Sequence, residues 1–131
     1  MDKGIRVLVV DDEKDFLFTM VYWLKSKGYS VLTANSGAEA LEIIKKEQVD
    51  IIFLDMYMPM MSGPETLKNL RQLNKDVPVI IITAYANDEK VAEAEQYGVS
   101  GLFCKQRELS ESEALIETVL RRHKGLSQEK G

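Results

Sequence analysis

Carboxylates that could bind a cation follow two short apolar runs of the sequence. Asp11 and Asp12, with Glu13 next to them, follow the first run, and Asp55 follows the third run. Aspartates that are crowded together repel one another, so they raise one another's pKa or bind a cation. With no histidine or cysteine ligand nearby, such a site consists only of oxygen atoms, which suits Mg²⁺ or Mn²⁺. The aspartates are therefore candidate metal ligands if the fold brings them together.

Two further polar residues, Thr83 and Lys105, stand at the ends of the fourth and fifth apolar runs. A carboxylate that follows a buried strand, as Asp55 does, can act as a nucleophile toward phosphorus. Phosphoryl transfer needs a metal ion and cationic or polar groups around the equatorial oxygens, and Lys105 and Thr83 can provide the non-metal contacts. Each residue taken alone has an ordinary structural role, as a turn cap, a solvated strand end or a strand former. Only their shared position at strand ends points to chemistry.

The elements that must position these residues are five short apolar runs that alternate with longer amphipathic stretches. The runs are Ile5–Val10, Ser30–Thr33, Ile51–Leu54, Val79–Thr83 and Leu102–Cys104. They are mostly apolar on both faces, which is typical of strands that helices cover on both sides of a parallel sheet. The stretches between them have helical spacing, for example Phe16, Met20 and Leu24 at i, i+4 and i+8. This alternation predicts an α/β protein with a doubly wound (βα)₅ parallel sheet and right-handed crossovers.

Candidate capping residues lie near the predicted starts and ends of the helices. N-cap candidates precede four of the helices, and glycines that favour a left-handed conformation follow two of them. They are Ser36, Ser62, Asn87 or Asp88, and Ser110 for the N-caps, and Gly28 and Gly98 for the glycines. The fourth helix, predicted over Asp88–Tyr97, has the weakest apolar stripe, so we expect its packing to be the least rigid.

The predicted sheet brings the candidate residues to one edge. In a doubly wound sheet, ligands bind outside the carboxyl ends of the strands, where the strand order reverses. Asp11, Asp12, Asp55, Thr83 and Lys105 all lie at that end. Three carboxylates, a hydroxyl group and an ammonium group should therefore converge.

Composition narrows the class of protein. The length of 131 residues fits one domain, and 45% hydrophobic and 29% charged residues are typical of a soluble globular protein. No apolar run could cross a membrane and no secretory signal is evident, so we expect a cytoplasmic protein without membrane contact. The single cysteine, Cys104, excludes an intramolecular disulfide framework and a cysteine-rich zinc site. A net charge of −4 without a basic block argues against direct nucleic-acid binding.

Two motifs carry a resemblance to a known family. Val7–Glu13 reads VLVVDDE, and Asp55–Gly63 reads DMYMPMMSG, which matches the pattern D-x-x-M-P-x-M-x-G. These motifs resemble bacterial two-component response-regulator receiver domains, to which the chemotaxis response regulator belongs, and the resemblance extends over residues 4–123. It implies a flavodoxin-like sheet with strand order 2-1-3-4-5. The receiver domain would occupy residues 1–124, and residues 125–131 would be a flexible tail or a truncated linker.

The resemblance also implies roles for single residues. Asp55 resembles the phosphoacceptor, and Asp11 and Asp12 resemble the metal-binding pair, which Asp55 and the Tyr57 backbone carbonyl would complete around Mg²⁺ or Mn²⁺. Thr83 resembles the switch hydroxyl group, and the lysine that pairs with the phosphoryl oxygens corresponds to Lys105. The new charge on the phosphorylated aspartate would shift the protein toward a second conformation.

Partners and activity follow from the same resemblance. A histidine kinase or phosphotransfer protein would supply the phosphoryl group, and a downstream protein target, which the sequence does not identify, would receive the signal. The surface of the fourth helix, fifth strand and fifth helix is the family's usual face for a homodimer. The chain would catalyse only its own phosphorylation and dephosphorylation, so it would not be an enzyme in the usual sense.

The sequence departs from the family at two positions near Lys105. Gln106 stands where the family usually has a proline, often in a cis bond. Because a non-proline cis bond costs about 2.5–4 kcal/mol, we expect either a trans bond with a differently shaped loop or a cis bond held by strong local contacts. Leu102 replaces the usual switch aromatic, and the neighbouring Phe103 should point to the opposite side of the strand. The output face could therefore signal differently.

Tyr57 and Tyr85 lie two residues after Asp55 and Thr83, at positions that influence hydrolysis of the phosphoryl group in the family. Bulky rings there predict slow autodephosphorylation, although both could simply be surface aromatics. The main alternative function is a phosphorylation-independent pseudo-receiver that acts as an interaction module. A magnesium-dependent phosphatase or phosphotransferase would commonly have a carboxylate at the position of Tyr57. An FMN-binding protein would need a phosphate-binding loop after the first strand, where Asp11 and Asp12 would instead repel phosphate.

Overall fold

Five strands and five helices alternate along the chain in the computed structural model, which describes residues 3–85 and 87–130, with side chains through His123. The strands are β1 (Arg6–Val10), β2 (Ser30–Ala34), β3 (Ile51–Asp55), β4 (Val79–Thr83) and β5 (Gly101–Cys104). The helices are α1 (Lys14–Ser26), α2 (Gly37–Lys46), α3 (Gly63–Leu73), α4 (Glu89–Glu95) and α5 (Leu109–Lys130). Each predicted strand is present, with its limits within one residue of the expected ones.

The strands form one parallel sheet in the order β2-β1-β3-β4-β5. The predicted doubly wound, flavodoxin-like fold is therefore confirmed. The order reverses at β1, which pairs with β2 on one side and with β3 on the other. In the β1–β3 register, Val10 lies opposite Leu54, so the residues that follow the two strands emerge side by side.

The core consists of two apolar layers, one on each face of the sheet. On the first face, α1 and α5 pack against alternate strand residues such as Val9 and Phe53. On the second face, α2, α3 and α4 pack against Leu8, Ile52 and Ile81. Because both faces are covered, the central strands are fully buried, which explains their continuous apolar runs.

Helix starts follow the predicted N-caps at three helices. Ser36 and Ser62 accept hydrogen bonds from the third residue after each, and Asp88 accepts one from the Lys90 N–H. The prediction for the fifth helix is wrong, because α5 begins at Leu109 and Ser110 lies in its first turn. There the Glu111 N–H already donates to the Glu108 carbonyl, which starts the helix two residues earlier than expected.

Two helices end before the predicted glycines, and one of them is shorter than predicted. Gly28 and Gly98 have φ values of 96° and 88°, as predicted for residues that end helices. The fourth helix is shorter than predicted, since it ends at Glu95. The less rigid packing expected for this helix stays a prediction.

Both departures near Lys105 have a structural outcome. No peptide bond within residues 3–85 and 87–130 is cis, so the bond between Lys105 and Gln106 is trans. Phe103 packs on the face of α1 and α5, whereas Leu102 packs on the face of α2, α3 and α4. The prediction that these neighbours point to opposite sides of β5 is confirmed.

Arg71, near the end of α3, joins three segments through backbone carbonyl groups. Its guanidinium group donates to the carbonyls of Tyr97 and Gly98, at the end of α4, at 2.8 Å each. It also donates to the Val77 carbonyl, just before β4, at 2.7 Å. The C-terminal end of α4 is thus attached to α3 by a half-buried side chain.

No helix in the described part of the chain is both long enough and apolar enough to cross a membrane. The division of the chain into a domain over residues 1–124 and a tail over residues 125–131 stays a prediction, because the side chains beyond His123 lie outside the described residues.

Candidate functional site

The predicted aspartates meet at the carboxyl end of the sheet. Asp11 directly follows β1, and Asp55 is the last residue of β3. Carboxylate oxygens of Asp11, Asp12 and Asp55 all lie within 4.8 Å of one another. Asp11 and Asp55 are buried, whereas Asp12 is exposed. A shared ligand could therefore be held from inside by two carboxylates and from the solvent side by the third.

Backbone hydrogen bonds fix the two buried aspartates. The Asp11 N–H donates to the Ala34 carbonyl at 3.1 Å, which extends the pairing of β1 with β2 by one residue. The Glu13 N–H in turn donates to Asp11 Oδ1 at 2.9 Å. The Tyr57 N–H lies 3.4 Å from Asp55 Oδ1. Each carboxylate is thus oriented by the chain that follows it.

Gly63 allows the β3–α3 loop to fold closely over the end of β3. Its N–H donates to the Met56 carbonyl at 3.0 Å. A Cβ atom at Gly63 would lie 2.3 Å from the Asp55 carbonyl oxygen and 2.6 Å from the Met56 Cα atom. Only glycine fits this approach without moving the backbone that carries Asp55.

Burial and mutual repulsion make the aspartates hard to ionise without a cation. Burial is the main cause that raises the pKa of Asp55 to about 7, and the charge of Asp11 adds to it, while Lys105 opposes both. Burial also raises the pKa of Asp11, against the hydrogen bond from the Glu13 N–H and the charge of Lys105. A bound cation would favour the ionised form of both groups.

Lys105 lies among three carboxylates. Its Nζ atom is 2.9 Å from Asp11 Oδ2 and 3.8 Å from Asp55 Oδ2, and it makes an ion pair with Glu13. Burial by itself lowers the pKa of Lys105, but the contacts with Glu13 and Asp11 and the charge of Asp55 raise it overall. Lys105 is therefore charged and bound to its neighbours in this conformation.

Thr83 is buried at the end of β4, and both hydrogen bonds of its hydroxyl group involve Tyr85. The hydroxyl donates to the Tyr85 carbonyl at 2.9 Å and accepts from the Tyr85 N–H at 3.1 Å. These bonds close a short turn after the strand. The switch residue predicted from the sequence thus lies at the expected edge, with its hydroxyl group engaged in the β4–α4 loop.

The two tyrosines near the site have different surroundings. Tyr57 is 54% exposed, and its hydroxyl group donates a hydrogen bond to Asp88, the N-cap residue of α4. This bond raises the pKa of Tyr57 to about 12 and lowers that of Asp88. Tyr85 is 70% exposed. The Tyr57 ring is therefore tied to the start of α4, a contact that the sequence alone did not suggest.

The carboxylate oxygens of the three aspartates suit a hard cation. Asp11 Oδ2 is buried and has only an ion-pair contact with Lys105, without a well-directed hydrogen bond among the described residues. A buried carboxylate oxygen with spare lone pairs suits a cation that prefers oxygen ligands. The three carboxylates, all oxygen donors, agree with Mg²⁺ or Mn²⁺.

Sequence reasoning found the residues of this site but missed two of their contacts. The sequence places Glu13 beside the aspartates and predicts Asp88 as a helix cap, but it indicates neither the contact of Glu13 with Lys105 nor that of Asp88 with Tyr57. No pattern in the sequence would have joined Glu13 to Lys105, because 92 residues separate them. No signal in the sequence would have joined Asp88 to Tyr57, because 31 residues separate them.

Comparison with known proteins supports the same assignment of the chain. Residues 7–117 match the sequence model of the response regulator receiver domain. The transcriptional regulatory protein PrrA of Mycobacterium tuberculosis is 38% identical over 126 residues, which are 93% of this chain and 54% of the relative. The sporulation initiation phosphotransferase F of Bacillus subtilis is 30% identical over 115 residues, which are 88% of this chain and 93% of the relative.

A solved structure gives the same result in three dimensions. The chemotaxis protein CheY4 of Vibrio cholerae has a TM-score of 0.78 and 33% sequence identity to this chain, and the match covers 89% of this chain and 97% of that one. The chain spans only 23% to 54% of the length of the transcriptional regulators that it matches. With a matching family sequence model over most of its length and the same fold, this chain belongs to the response regulator receiver domains of two-component signal transduction.

Proposed function

We propose that this chain is a phosphorylation-controlled signalling switch that accepts a phosphoryl group on Asp55. The observation that carries the proposal is the position of the Asp55 carboxylate. It is buried at a strand end and lies 3.8 Å from the Lys105 ammonium group. Carboxylate oxygens of Asp55, Asp11 and Asp12 all lie within 4.8 Å of one another. A nucleophilic carboxylate, oxygen ligands for a cation and a cationic side chain are the parts that phosphoryl transfer needs.

The proposed reaction is a direct transfer. An Asp55 carboxylate oxygen attacks the phosphorus atom of the donor and forms an acyl phosphate. The bond from phosphorus to the donor atom breaks, and the donor atom keeps the electron pair and takes up a proton from solvent. Lys105 then pairs with a phosphoryl oxygen, and the Thr83 hydroxyl group leaves Tyr85 to donate to another.

Mg²⁺ is the proposed cofactor, with Mn²⁺ as a substitute. Asp11, Asp12, Asp55 and the Tyr57 backbone carbonyl would hold it. When bound, the ion would neutralise the charge of the crowded carboxylates and of the phosphoryl oxygens. Asp55 must be ionised to attack, and its raised pKa makes a neighbouring cation important for this at neutral pH.

The proposed donor is a histidine kinase or a phosphotransfer protein. The name of the Bacillus relative describes it as a phosphotransferase, and the names of the longer relatives describe them as transcriptional regulators. For this chain we propose a protein target downstream, without direct contact to nucleic acid. The surface of α4, β5 and α5 is the proposed face for that target or for a homodimer. The chemistry would be limited to phosphorylation and dephosphorylation of the chain itself.

The test is the intact mass of the protein after incubation with acetyl phosphate. Wild type should gain one phosphoryl group when Mg²⁺ is present and none when a chelator removes it. Asp55→Asn should gain none under either condition, and Asp76→Asn, which changes an exposed aspartate outside the site, should behave as wild type. A gain in Asp55→Asn equal to that of wild type would assign the phosphoryl group to another residue.

A second candidate is a pseudo-receiver that acts without phosphate. Leu102, in place of an aromatic side chain on β5, favours it, because the usual coupling between Thr83 and a ring is missing. Calorimetric titration with Mg²⁺ separates the two candidates. Binding that Asp11→Asn weakens supports the switch, whereas a wild-type protein that binds no Mg²⁺ and takes up no phosphoryl group supports the pseudo-receiver.

A further inference from the structure

Lys105 contacts Asp11 and the start of α1 more closely than it contacts Asp55. Glu13, the residue just before α1, makes an ion pair with the Lys105 ammonium group. The same ammonium group lies 5.0 Å from the centre of the Phe16 ring, in the first turn of α1. Its distance to Asp55 Oδ2, 3.8 Å, is longer than a hydrogen bond.

Glu13 occupies the N-cap position of α1, but its side chain does not cap the helix. It is the N-cap residue of α1, with extended backbone angles, and its side chain makes no hydrogen bond to the first turn. At three other helices, Ser36, Ser62 and Asp88 make that bond. The Glu13 carboxylate is instead directed to Lys105, so α1 begins without a side-chain cap at this residue.

We propose that Glu13 is a positioning residue that holds Lys105 toward α1, beyond hydrogen-bond distance of Asp55, in the unphosphorylated protein. A phosphoryl group on Asp55 would then compete with Glu13 for the Lys105 ammonium group. The inference rests on the proposed function, since it assigns to Glu13 control over how readily Asp55 carries a phosphoryl group.

The burial of the partners explains why this competition matters. Lys105 is 18% exposed and Glu13 is 62% exposed, so the pair lies at the border between the protein interior and solvent. Asp11 also contacts Lys105, and it stays in place because the Glu13 N–H and the β1–β2 pairing hold it. Glu13 is therefore the partner of Lys105 whose side chain can most readily be removed without disturbing the aspartates.

The test compares two substitutions of Glu13, one that removes the charge of its side chain and one that shortens it. Glu13→Gln keeps the size and removes the charge. Glu13→Asp keeps the charge, but its shorter side chain can cap α1 and reaches less far toward Lys105. Glu42→Gln is the matched control, since it removes the glutamate of a surface ion pair with Lys45 on α2.

The first measurement is the affinity for beryllofluoride in the presence of Mg²⁺, with binding monitored by nuclear magnetic resonance. Beryllofluoride binds a carboxylate as a tetrahedral mimic of a phosphoryl group. We expect both Glu13 variants to bind it roughly threefold to tenfold more tightly than wild type, and Glu42→Gln to bind it as wild type does. If only Glu13→Gln gains affinity, Glu13 acts by repelling the anion, and the proposal is overturned.

The second measurement needs neither metal nor phosphoryl mimic. In the metal-free wild type, nuclear Overhauser effects should join the Lys105 side chain to the Phe16 ring, and Glu13→Gln should weaken them while Glu42→Gln leaves them intact. Unchanged effects in Glu13→Gln would overturn the proposal. If wild type binds no beryllofluoride, the proposed function fails, and this measurement still decides where Glu13 holds Lys105.

Discussion

Asp55 and Thr83 end neighbouring strands, yet their side chains have different kinds of partner. The Asp55 carboxylate faces the other carboxylates and Lys105, whereas the Thr83 hydroxyl group is bound to the backbone of Tyr85. Strand positions, which the sequence predicts well, bring both residues to one edge. The hydrogen bonds depend on side-chain rotamers and loop conformation, which no pattern of residue types specifies. This is why the residues could be predicted and the Thr83–Tyr85 and Glu13–Lys105 contacts could not.

The two tyrosines give a prediction at this scale. Replacing both rings, by Tyr57→Asn with Tyr85→Glu, should speed hydrolysis of the phosphorylated protein about tenfold, which corresponds to about 1.4 kcal/mol of activation free energy. Smaller polar side chains should admit and orient the attacking water where the rings exclude it. The rate follows from the loss of phosphoryl mass after the donor is removed.

Tyr22→Asn serves as the control, because Tyr22 is an exposed tyrosine on α1. It should leave the hydrolysis rate unchanged. An equal rate for wild type and the double variant would mean that the rings do not protect the phosphoryl group and are ordinary surface aromatics.

At the scale of elements, the limits of the central strands were the most predictable feature. Strands buried on both faces require apolar residues throughout, so β3 and β4 are visible as continuous apolar runs. Helix limits were less predictable, because several residues near a helix start can serve as caps. Side-chain type alone predicts Ser110 as the cap of the fifth helix, whereas a backbone hydrogen bond at Glu108 starts α5 earlier.

The junction of β3 and α3 gives the second prediction. Gly63→Ala should destabilise the protein by about 1–3 kcal/mol, because its Cβ atom would overlap the backbone of Asp55 and Met56. The same displacement should weaken Mg²⁺ binding. Urea unfolding measures the first effect and calorimetric titration the second.

Gly101→Ala, in β5, is the control for this substitution. A Cβ atom there would approach its nearest neighbour, a Leu115 methyl group, only to 3.5 Å. It should change stability by much less than Gly63→Ala. Equal stability of Gly63→Ala and wild type would mean that the loop can move away from the end of β3 at little cost.

At the scale of the whole molecule, the burial of Asp55 and the charge of Asp11 beside it act on global stability. The pKa of Asp55 is about 7 in the folded protein and near 3.9 in an unfolded chain. Between these values the folded state binds more protons than the unfolded state. Stability therefore falls as the pH rises from about 4 through 7.

This linkage is the third prediction. Without metal, Asp55→Asn should be more stable than wild type by roughly 1–3 kcal/mol at pH 8, and the difference should vanish toward pH 4. Mg²⁺ should reverse the order at pH 8, since only wild type retains all three carboxylates. Urea unfolding of both proteins across this pH range, with chelator and with Mg²⁺, provides the comparison. Parallel stability curves for the two proteins would contradict the prediction.

The fold as a whole was predictable because the alternation of strands and helices admits few topologies. The strand order itself came from the resemblance to a family and not from the pattern of residues. Contacts between distant loops, such as Tyr57 with Asp88, belong to the folded molecule only. They arise where the topology brings two loops together, after the sheet has set their spacing.

The attachments of α4 have a mechanical consequence. At its C-terminal end, the half-buried Arg71 holds two carbonyl groups, whereas at its N-terminal end an exposed tyrosine contacts Asp88. Tyr57 belongs to the loop that follows Asp55, so a rearrangement there reaches the N-terminal end of α4 first. We therefore expect α4 to turn about the Arg71 contacts when the loop after Asp55 rearranges. When the loop after Asp55 is displaced, the N-terminal end of α4, which lies farther from Arg71, is expected to move more than the C-terminal end.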